Sequence, residues 1–470
     1  MKAEAKVPTN NKLGLGALSA LVIGSIIGAG VFSLPQNMAS VASPLAVVIG
    51  WIITGIGMIF LALTFQRLCI CKPEINTGVF GYAKAGFGDL IGFFSAWGYW
   101  LCAVIANVSY LVIIFSTLGL FFDTPQHVIF GEGNNILSIG LASVYVWGIH
   151  FLLLKGIKTA SVINIITTIA KLIPIFIFIV AALIAFKADT FTLDLTGVYS
   201  HAGKSLMDQV KDTMLFTVWV FIGIEGAVIV SGRAKTQKEV GTATVLGLLT
   251  TLAIYVLISL LSMGVISTPE LAAMHNPSTA KILEHILGPV GLVIIGIGLL
   301  ISVLGAYLSW TLLTVESPYI AAKEKMFPQI FARTNKNGTS QYSLIISTLF
   351  VQFALIAIIF FGGTYTTLLN IASVMVLVPY LLVAAYALKV GLATKNNTTI
   401  FIGTMGTIYG CWLIYAAGIH NLMVACLLYL PGIIFFIITK RQHGEKWFYG
   451  KNQAIIICLM ILSLLGFWLY

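Results

Sequence analysis

Three ionisable residues lie inside long apolar runs of the sequence, where a charge is unexpected. Lys171 lies near the middle of the run 159–186, and Glu225 lies at a similar depth in the run 212–232. A charged side chain at the centre of a membrane-inserted helix costs roughly 2.5–3.5 kcal/mol, so both are expected to face the interior of a helix bundle. Glu316 lies nearer the end of its run, close to basic loops.

Two roles are open for Lys171. As a structural cation it would bond backbone carbonyls that an interrupted helix, or Pro174, leaves without partners. As a titrating group it would carry a coupled proton, which is a role that buried lysines can take. Glu225 would either pair with Lys171 or act as a gating switch, and the sequence leaves these alternatives open.

Two glycine clusters predict interrupted helices. Gly24–Gly30 contains three glycines within seven residues, and Phe221–Gly226 contains two glycines around Glu225. Glycine costs about 1 kcal/mol in a helix interior, and unwound backbone is tolerated at membrane depth only where it lines a cavity. One cluster alone would equally indicate close helix packing. Two clusters, in the first and sixth runs, favour a transporter-type site in an inverted repeat of five helices.

The composition requires that these residues sit in a membrane. The 470 residues are 59% hydrophobic and 9% charged, with a mean hydropathy of +1.00, whereas a soluble domain needs roughly 25% charged residues. About 20 apolar residues cross a bilayer. About thirteen such runs are predicted, or twelve if the last is too short: 13–40, 44–67, 88–122, 136–155, 159–186, 212–232, 240–266, 286–322, 343–361, 366–390, 400–419, 421–440 and 454–470.

The distribution of basic residues predicts the orientation. With the N-terminus inside, 21 of the 26 Lys and Arg residues fall in cytoplasmic segments and four fall in outside loops, and the remaining one is Lys171. Cytoplasmic loops carry the excess of Lys and Arg in membrane proteins. The net charge of +10 therefore lies along one membrane face and does not indicate nucleic-acid binding.

The sequence predicts neither an enzyme nor a cofactor. The histidines lie in or near the predicted loops, whereas haem ligands are needed inside helices. No cluster with metal-ligand or catalytic spacing is present, and Cys69 and Cys71 have no second pair. A channel is disfavoured because too few polar residues lie inside the apolar runs to line a continuous pore.

Three motifs resemble one transporter family. IGSIIGAGVFSLPQNMA resembles the first-helix signature of the amino acid–polyamine–organocation superfamily, TVWVFIGIEGA its sixth helix, and GAYLSWTLLTVESPYIAAKEKMFPQIFA its eighth helix and following loop. The resemblance covers about residues 13–440 and is closest to the basic amino-acid/polyamine antiporters, within them to arginine/ornithine antiporters. It implies an all-α membrane protein with a LeuT-like 5+5 inverted repeat, broken helices 1 and 6, and alternating access.

The resemblance also implies a domain plan. Residues 1–12 would form a cytoplasmic tail, 13–186 the first five-helix repeat and 212–390 the second, with 400–470 as additional helices. It implies a multi-pass protein of the inner membrane, and family members are often dimers.

The resemblance assigns the substrate to the two broken helices. The substrate carboxylate would be held by backbone amides of the first helix, at Ser25, Ile26, Gly28, Ala29 and Gly30. This agrees with the affinity of helix N-termini for anions. The substrate ammonium would be received by backbone carbonyls around Trp219 and Ile222.

Further side chains are implied as gates and contacts. Trp219 matches an aromatic gate over the substrate, and Trp310 an aromatic that separates the pocket from the inner vestibule. A cation over an indole gains roughly 0.5–2 kcal/mol. Tyr99 and Asn107 match an outer gate and a polar contact, and Glu225 a residue of conformational coupling.

The expected function is exchange of cationic amino acids, arginine for ornithine by preference. Lys171, within AKLIPI, departs from agmatine-exporting antiporters and favours exchange between two amino acids. Exchange of two monocations moves no net charge and ignores the membrane potential, which is worth about 2.3 kcal/mol per charge at 100 mV. The alternatives are proton-coupled uptake, exchange of lysine or histidine for the cognate amine, and, in another class, a channel-like protein.

Overall fold

The computed structural model describes residues 14–75, 77–155, 160–225 and 235–469. This part of the chain is almost entirely helical. The α-helices are α1 Leu15–Ile26, α2 Gly30–Ala39, α3 Pro44–Cys71, α4 Val79–Phe87, α5 Asp89–Phe122, α6 Ile136–Leu154, α7 Ala160–Ala185, α8 Ala188–Thr192, α9 Leu206–Phe221, α10 Gln237–Val265, α11 Thr268–Ala272, α12 Ser278–Leu287, α13 Pro289–Lys323, α14 Gln341–Phe361, α15 Tyr365–Thr394, α16 Asn397–Tyr429, α17 Gly432–Gln442 and α18 Lys451–Leu469. The predicted tail 1–12 and the end of the sixth run, from Gly226 onward, lie outside the described residues.

The helices make the chain a multi-pass membrane protein. Among the described residues, eight helical stretches are long and apolar enough to cross a membrane, and a ninth is formed if α1 and α2 make one bent span. Two further apolar helices, at Ala170–Ala185 and Lys451–Gly466, are shorter. The all-helical membrane class is therefore confirmed, whereas twelve or thirteen spans remain a prediction.

Most predicted runs coincide with helices to within a few residues, and the differences have local causes. The runs 400–419 and 421–440 form the stretch Asn397–Gln442, which is interrupted at Gly418, whose φ is 74°. The sixth run was predicted to begin at residue 212, whereas α9 begins at Leu206. Polar N-caps define several starts: Ser205 accepts a hydrogen bond from the Asp208 N–H, and Thr364 accepts one from Thr367. The short helices α4 and α12 were not predicted.

Helix α5 forms the centre of the bundle. Its residues are buried on every face, and it packs against α13 and α15. A helix that is apolar all round belongs in the interior of a bundle. Because α5 is 34 residues long and central, side chains along its length reach several different parts of the site.

The two ends of α5 define two faces of the molecule. At one end Asp89 lies 2.6 Å from the Lys440 Nζ, and Lys84 donates to the Glu324 carbonyl; we call this end the basic face. At the other end Ser116 donates to the Asn276 carbonyl, which marks the far face. The charge distribution predicts that the basic face is cytoplasmic.

Candidate functional site

The first predicted interruption is present between α1 and α2. The two helices meet at a bend of 48°, with Ile27–Ala29 outside both. The glycines permit close contacts here, because a Cβ on Gly28 would lie 2.9 Å from the Tyr110 hydroxyl and one on Gly30 would lie 2.9 Å from the Trp219 Nε1. The unwound backbone therefore lies directly against aromatic side chains.

The carbonyl groups at the end of α1 are satisfied by side chains. Lys171, only 2% exposed, donates from its Nζ to the Gly24 and Ile27 carbonyls, each at 2.6 Å. The Tyr255 hydroxyl donates to the Ile26 carbonyl at 3.0 Å. A cation is favourable at a helix C-terminus, where carbonyls lack intrahelical partners. The structure thus places Lys171 where the structural-cation role requires it.

On the other side of the break, the backbone presents N–H groups to the site, which have the opposite polarity to the carbonyl groups. In the described part of the chain, the N–H groups of Gly28 and Ala29 donate no backbone hydrogen bond. Gly30 begins α2, whose first N–H groups lack acceptors within the helix. An N-terminus with free N–H groups attracts carboxylates.

The second predicted interruption begins where α9 ends. Ile222–Glu225 form turns, and Gly223 has a φ of 108°, a conformation that favours glycine. Ser25 Oγ donates to the Gly223 carbonyl at 2.9 Å. A Cβ on Gly223 would lie 2.6 Å from the backbone carbonyl oxygen of Ser25. The two interruptions therefore touch each other.

A small cavity lies beside the two interruptions. It is lined by Ile26, Gly28, Ala29, Gly30, Ala106, Tyr110, Trp219, Val220, Ile222, Tyr255 and Trp310. We call it the central cavity. The Tyr110 ring lies 6.4 Å from both the Trp219 and Trp310 rings. None of these described side chains is charged, and the walls are formed by backbone groups and by aromatic and aliphatic side chains.

A second cavity lies at the far face, and Tyr365 separates it from the central one. Tyr365 lines this far-face cavity together with Gln36, Glu132 and His275. Its hydroxyl accepts a hydrogen bond of 3.2 Å from the Trp219 Nε1. The Trp219–Tyr365 pair therefore separates the two cavities.

A third cavity lies toward the basic face. It is lined by residues that include Thr77, Tyr99, Glu225, Leu313 and Glu316; we call it the basic-face cavity. Helix α13 contributes Trp310 to the central cavity and Leu313 and Glu316 to this one. Trp310 thus lies between the two spaces.

Glu225 holds three segments together at the edge of the basic-face cavity. It is fully buried and accepts hydrogen bonds from the Tyr99 hydroxyl at 2.5 Å and the Tyr380 hydroxyl at 2.9 Å. These tyrosines belong to α5 and α15. The pairing of Glu225 with Lys171 that the sequence left open is not formed.

Two expectations about side chains on α5 can be compared with the positions of those side chains. Tyr99 lies ten residues from Asp89, between the basic face and Tyr110, which favours a gate on the basic side over the predicted outer gate. Asn107 is 1% exposed and does not line the central cavity; its Nδ2 donates to the Thr314 Oγ1 at 2.9 Å. Its Oδ1 is buried and has no partner among the described residues.

Four tyrosines of this region were not predicted from the sequence. Tyr110 and Tyr255 line the central cavity, while Tyr365 and Tyr380 bond to Trp219 and Glu225. A buried tyrosine hydroxyl usually has a hydrogen-bond partner, so each one inside an apolar run indicates a polar group nearby. That signal was available, but it does not identify the partner.

Known proteins resemble the whole length of the chain. A family model described as amino acid permease matches residues 13–464. A "putative arginine/ornithine antiporter" of Escherichia coli (strain K12) is 50% identical over 452 residues, 96% of this chain and 97% of the relative. An "arginine/ornithine antiporter" of Pseudomonas aeruginosa is 47% identical over 472 residues, 97% of each. An "arginine/agmatine antiporter" of Chlamydia pneumoniae is 42% identical over 464 residues, 96% of this chain and 95% of the relative.

Proposed function

The chain belongs to the amino acid permease family, and we propose that it exchanges arginine for ornithine across the membrane. Its family membership confirms the resemblance found in the three sequence motifs. The names of the relatives support an antiporter of cationic amino acids over an enzyme or a channel. Arginine and ornithine are preferred over agmatine because the relatives at 50% and 47% identity carry that name.

The observation that carries the proposal is the central cavity between two touching helix interruptions. The amides of Gly28 and Ala29, which donate to no backbone acceptor among the described residues, suit the substrate carboxylate together with the N-terminus of α2. The backbone carbonyls near Trp219 and Ile222 suit the α-ammonium. The rings of Trp219 and Trp310 suit a guanidinium or ammonium side chain, since cations bind aromatic faces. The backbone groups and the aromatic rings of the cavity thus fit an amino acid with a cationic side chain.

Alternating access would use the two barriers on either side of this cavity. On the far side, Trp219 and Tyr365 would open to admit substrate. On the basic side, Trp310 and the Tyr99–Glu225–Tyr380 bonds would open in turn. The two touching breaks support a LeuT-like inverted repeat, with 13–186 and 212–390 as its halves.

Membrane, orientation and assembly belong to the same proposal. We place the protein in the cell inner membrane with its N-terminus and basic face cytoplasmic, as the 21 of 26 basic residues in those segments favour. A homodimer is the assembly proposed from the resemblance. Accessibility of single cysteines placed in the loops, and the mass of the detergent-solubilised protein, test these two points.

The test is uptake of labelled arginine into proteoliposomes preloaded with ornithine, agmatine, lysine, histamine or buffer alone. We expect internal ornithine to stimulate uptake most strongly. An imposed membrane potential should leave the rate unchanged, because exchange of two monocations moves no net charge. Equal uptake into empty vesicles, driven by a proton gradient, would refute exchange. Stronger stimulation by agmatine would assign the partner substrate to a decarboxylated amine.

A further inference from the structure

Two basic side chains share a pocket between the end of α3 and the start of α10. The pocket is lined by Gln66, Arg67, Cys69, Ile70, Pro73 and Lys238; we call it the α3–α10 pocket. The two helices are in contact beside it, because a Cβ on Gly241 would lie 2.2 Å from the Gln66 Cγ. Glu74, just past α3, lines a neighbouring cavity together with Lys84 and Asp89. The α3–α10 pocket therefore lies at the basic face.

The pocket carries positive charge that no described side chain neutralises. Among the described residues, neither Arg67 nor Lys238 forms an ion pair. No carboxylate lines the pocket. Glu74, which is close in the sequence, lies 3.6 Å from the Lys72 Nζ instead. Two unpaired cations in one pocket favour an anionic ligand.

The side of α3 that carries Arg67 faces the lipid. Ile56 lies eleven residues before Arg67 and Ile70 three residues after it, and these spacings put all three on one side of a helix. Both isoleucines are about half exposed, although α3 is long and apolar enough to cross the membrane. Exposed aliphatic side chains on such a helix contact acyl chains.

Helix α10 has the same arrangement. Leu246 and Leu249 lie eight and eleven residues after Lys238, on the same side of the helix. Both leucines are more than 40% exposed, within the membrane-spanning stretch Lys238–Val265. Two helices in contact thus each present a cation at the basic face and an exposed aliphatic surface next to it.

This combination matches the two chemical parts of an anionic phospholipid. Basic pockets between membrane helices bind anionic headgroups, and a guanidinium suits the geometry of a phosphate. Basic residues also orient membrane proteins without binding any ligand. That role requires only that they lie in loops on one side. Arg67 and Lys238 instead lie within helices and line one pocket.

We propose that the α3–α10 pocket binds the headgroup of an anionic phospholipid from the leaflet at the basic face. The phosphate lies between Arg67 and Lys238, and the acyl chains follow the exposed aliphatic surfaces of α3 and α10. A soluble anion would use only the first of these two parts. The inference is independent of which substrates the protein exchanges.

The test is a lipid titration of the detergent-purified full chain, followed by native mass spectrometry. We expect phosphatidylglycerol to bind more tightly than zwitterionic phosphatidylcholine. Each basic side chain near a headgroup contributes about fivefold to binding, so Arg67→Gln combined with Lys238→Gln should raise the Kd for phosphatidylglycerol about 25-fold. Arg333→Gln combined with Lys395→Gln removes the same charges from exposed positions outside the pocket. This control should keep the Kd within about twofold.

A second variant keeps the test decisive if the double substitution folds poorly. Ile70→Asp adds a carboxylate to the pocket lining while both cations remain, and it should raise the Kd about fivefold or more. An unchanged Kd in either folded variant overturns the site. An equal rise in the control would reduce the effect to general attraction by the basic face, and equal binding of phosphatidylcholine would remove the role of charge. Displacement of the lipid by inorganic phosphate would assign the pocket to a soluble anion, and each of these three results also refutes the proposal.

Discussion

Lys171 and Glu225 are both buried in the bundle, but their charges are satisfied by different kinds of partner. Lys171 bonds to backbone carbonyls of the α1–α2 break. Glu225 bonds to the hydroxyls of Tyr99 and Tyr380, which belong to two other helices. In a dry interior, the carbonyl groups of an unwound segment have no other hydrogen-bond donor available. A tyrosine hydroxyl, in contrast, can rotate to a new partner.

This difference assigns different roles to the two regions. The Lys171 region fixes the shape of the break and so preserves the substrate site. The Glu225 region links α5 and α15 to the segment after α9 through hydrogen bonds between side chains, and these bonds can separate when the elements move. We expect loss of Lys171 to reduce stability, and loss of Glu225 to change transport with little change in stability.

The largest effect is expected for Lys171→Met, which keeps the length of the side chain without its charge. Two buried carbonyls lose their partner, at about 1–3 kcal/mol each. Stability should fall by about 2–6 kcal/mol, exchange should be lost, and the apparent melting temperature of the purified protein should drop. Tyr255→Phe removes one neutral bond to the same break and should cost only about 1 kcal/mol.

The same variant decides between the two roles of Lys171. A Lys171→Met protein that melts like the unmodified one, exchanges substrates normally and loses only stimulation by a proton gradient would make Lys171 a proton carrier. The contrast with Glu225 would then be wrong.

The next largest effect is expected for Glu225→Gln. Glutamine keeps the size of the side chain but directs an amide N–H₂ group at one of the two tyrosine hydroxyls. We expect the exchange rate to change by about tenfold while stability changes by about 1 kcal/mol or less, since the hydroxyls can find other partners. Counterflow rates and melting temperature are the two measurements. A large drop in melting temperature with a proportionate loss of transport would assign Glu225 a structural role like that of Lys171.

The two regions also differ in how far the sequence predicted them. Glycines at Gly28, Gly30 and Gly223 located both breaks, because a helix interior is a costly place for glycine. The apolar runs located the helices, because their length is set by the thickness of the bilayer.

The partners of the buried charges could not be predicted in the same way. Tyr380 lies 155 residues from Glu225, and Lys171 lies 147 residues from Gly24. No local periodicity relates such positions, and their contacts depend on how distant helices pack. The outer-gate role of Tyr99 stays a prediction, since it rests on a resemblance and not on the depth of Tyr99 along α5.

A smaller effect is expected for Trp219→Phe. This variant tests whether the far-face barrier, like the Glu225 region, depends on a hydrogen bond between side chains. The substitution keeps an aromatic ring and removes the hydrogen bond to the Tyr365 hydroxyl. A neutral bond contributes about 0.5–1.5 kcal/mol, so the KM for external arginine should rise about three- to tenfold. Tyr365→Phe should give a similar change, and the double variant should add little. Fully additive effects would show that the two side chains act independently.

The smallest effect is expected for Asp123→Asn. This variant tests whether backbone hydrogen-bond partners or burial set the cost of removing a charge. Asp123 follows α5 and, like Lys171, is bound by backbone: it accepts hydrogen bonds from the N–H groups of Ile129, Phe130 and Gly131 at 2.7–2.9 Å. Desolvation alone would raise the pKa of Asp123, but these three bonds outweigh it and hold the pKa below its usual value.

Because this pKa is depressed on folding, the ionised carboxylate stabilises the loop at neutral pH. That stabilisation is lost as the pH falls below about 4 toward the folded-state pKa. The melting temperature of Asp123→Asn should therefore lie only about 1 °C below that of the unmodified protein at pH 7, and the two should converge in acid. A loss as large as that of Lys171→Met would mean that backbone partners, and not burial, set the cost of removing a charge.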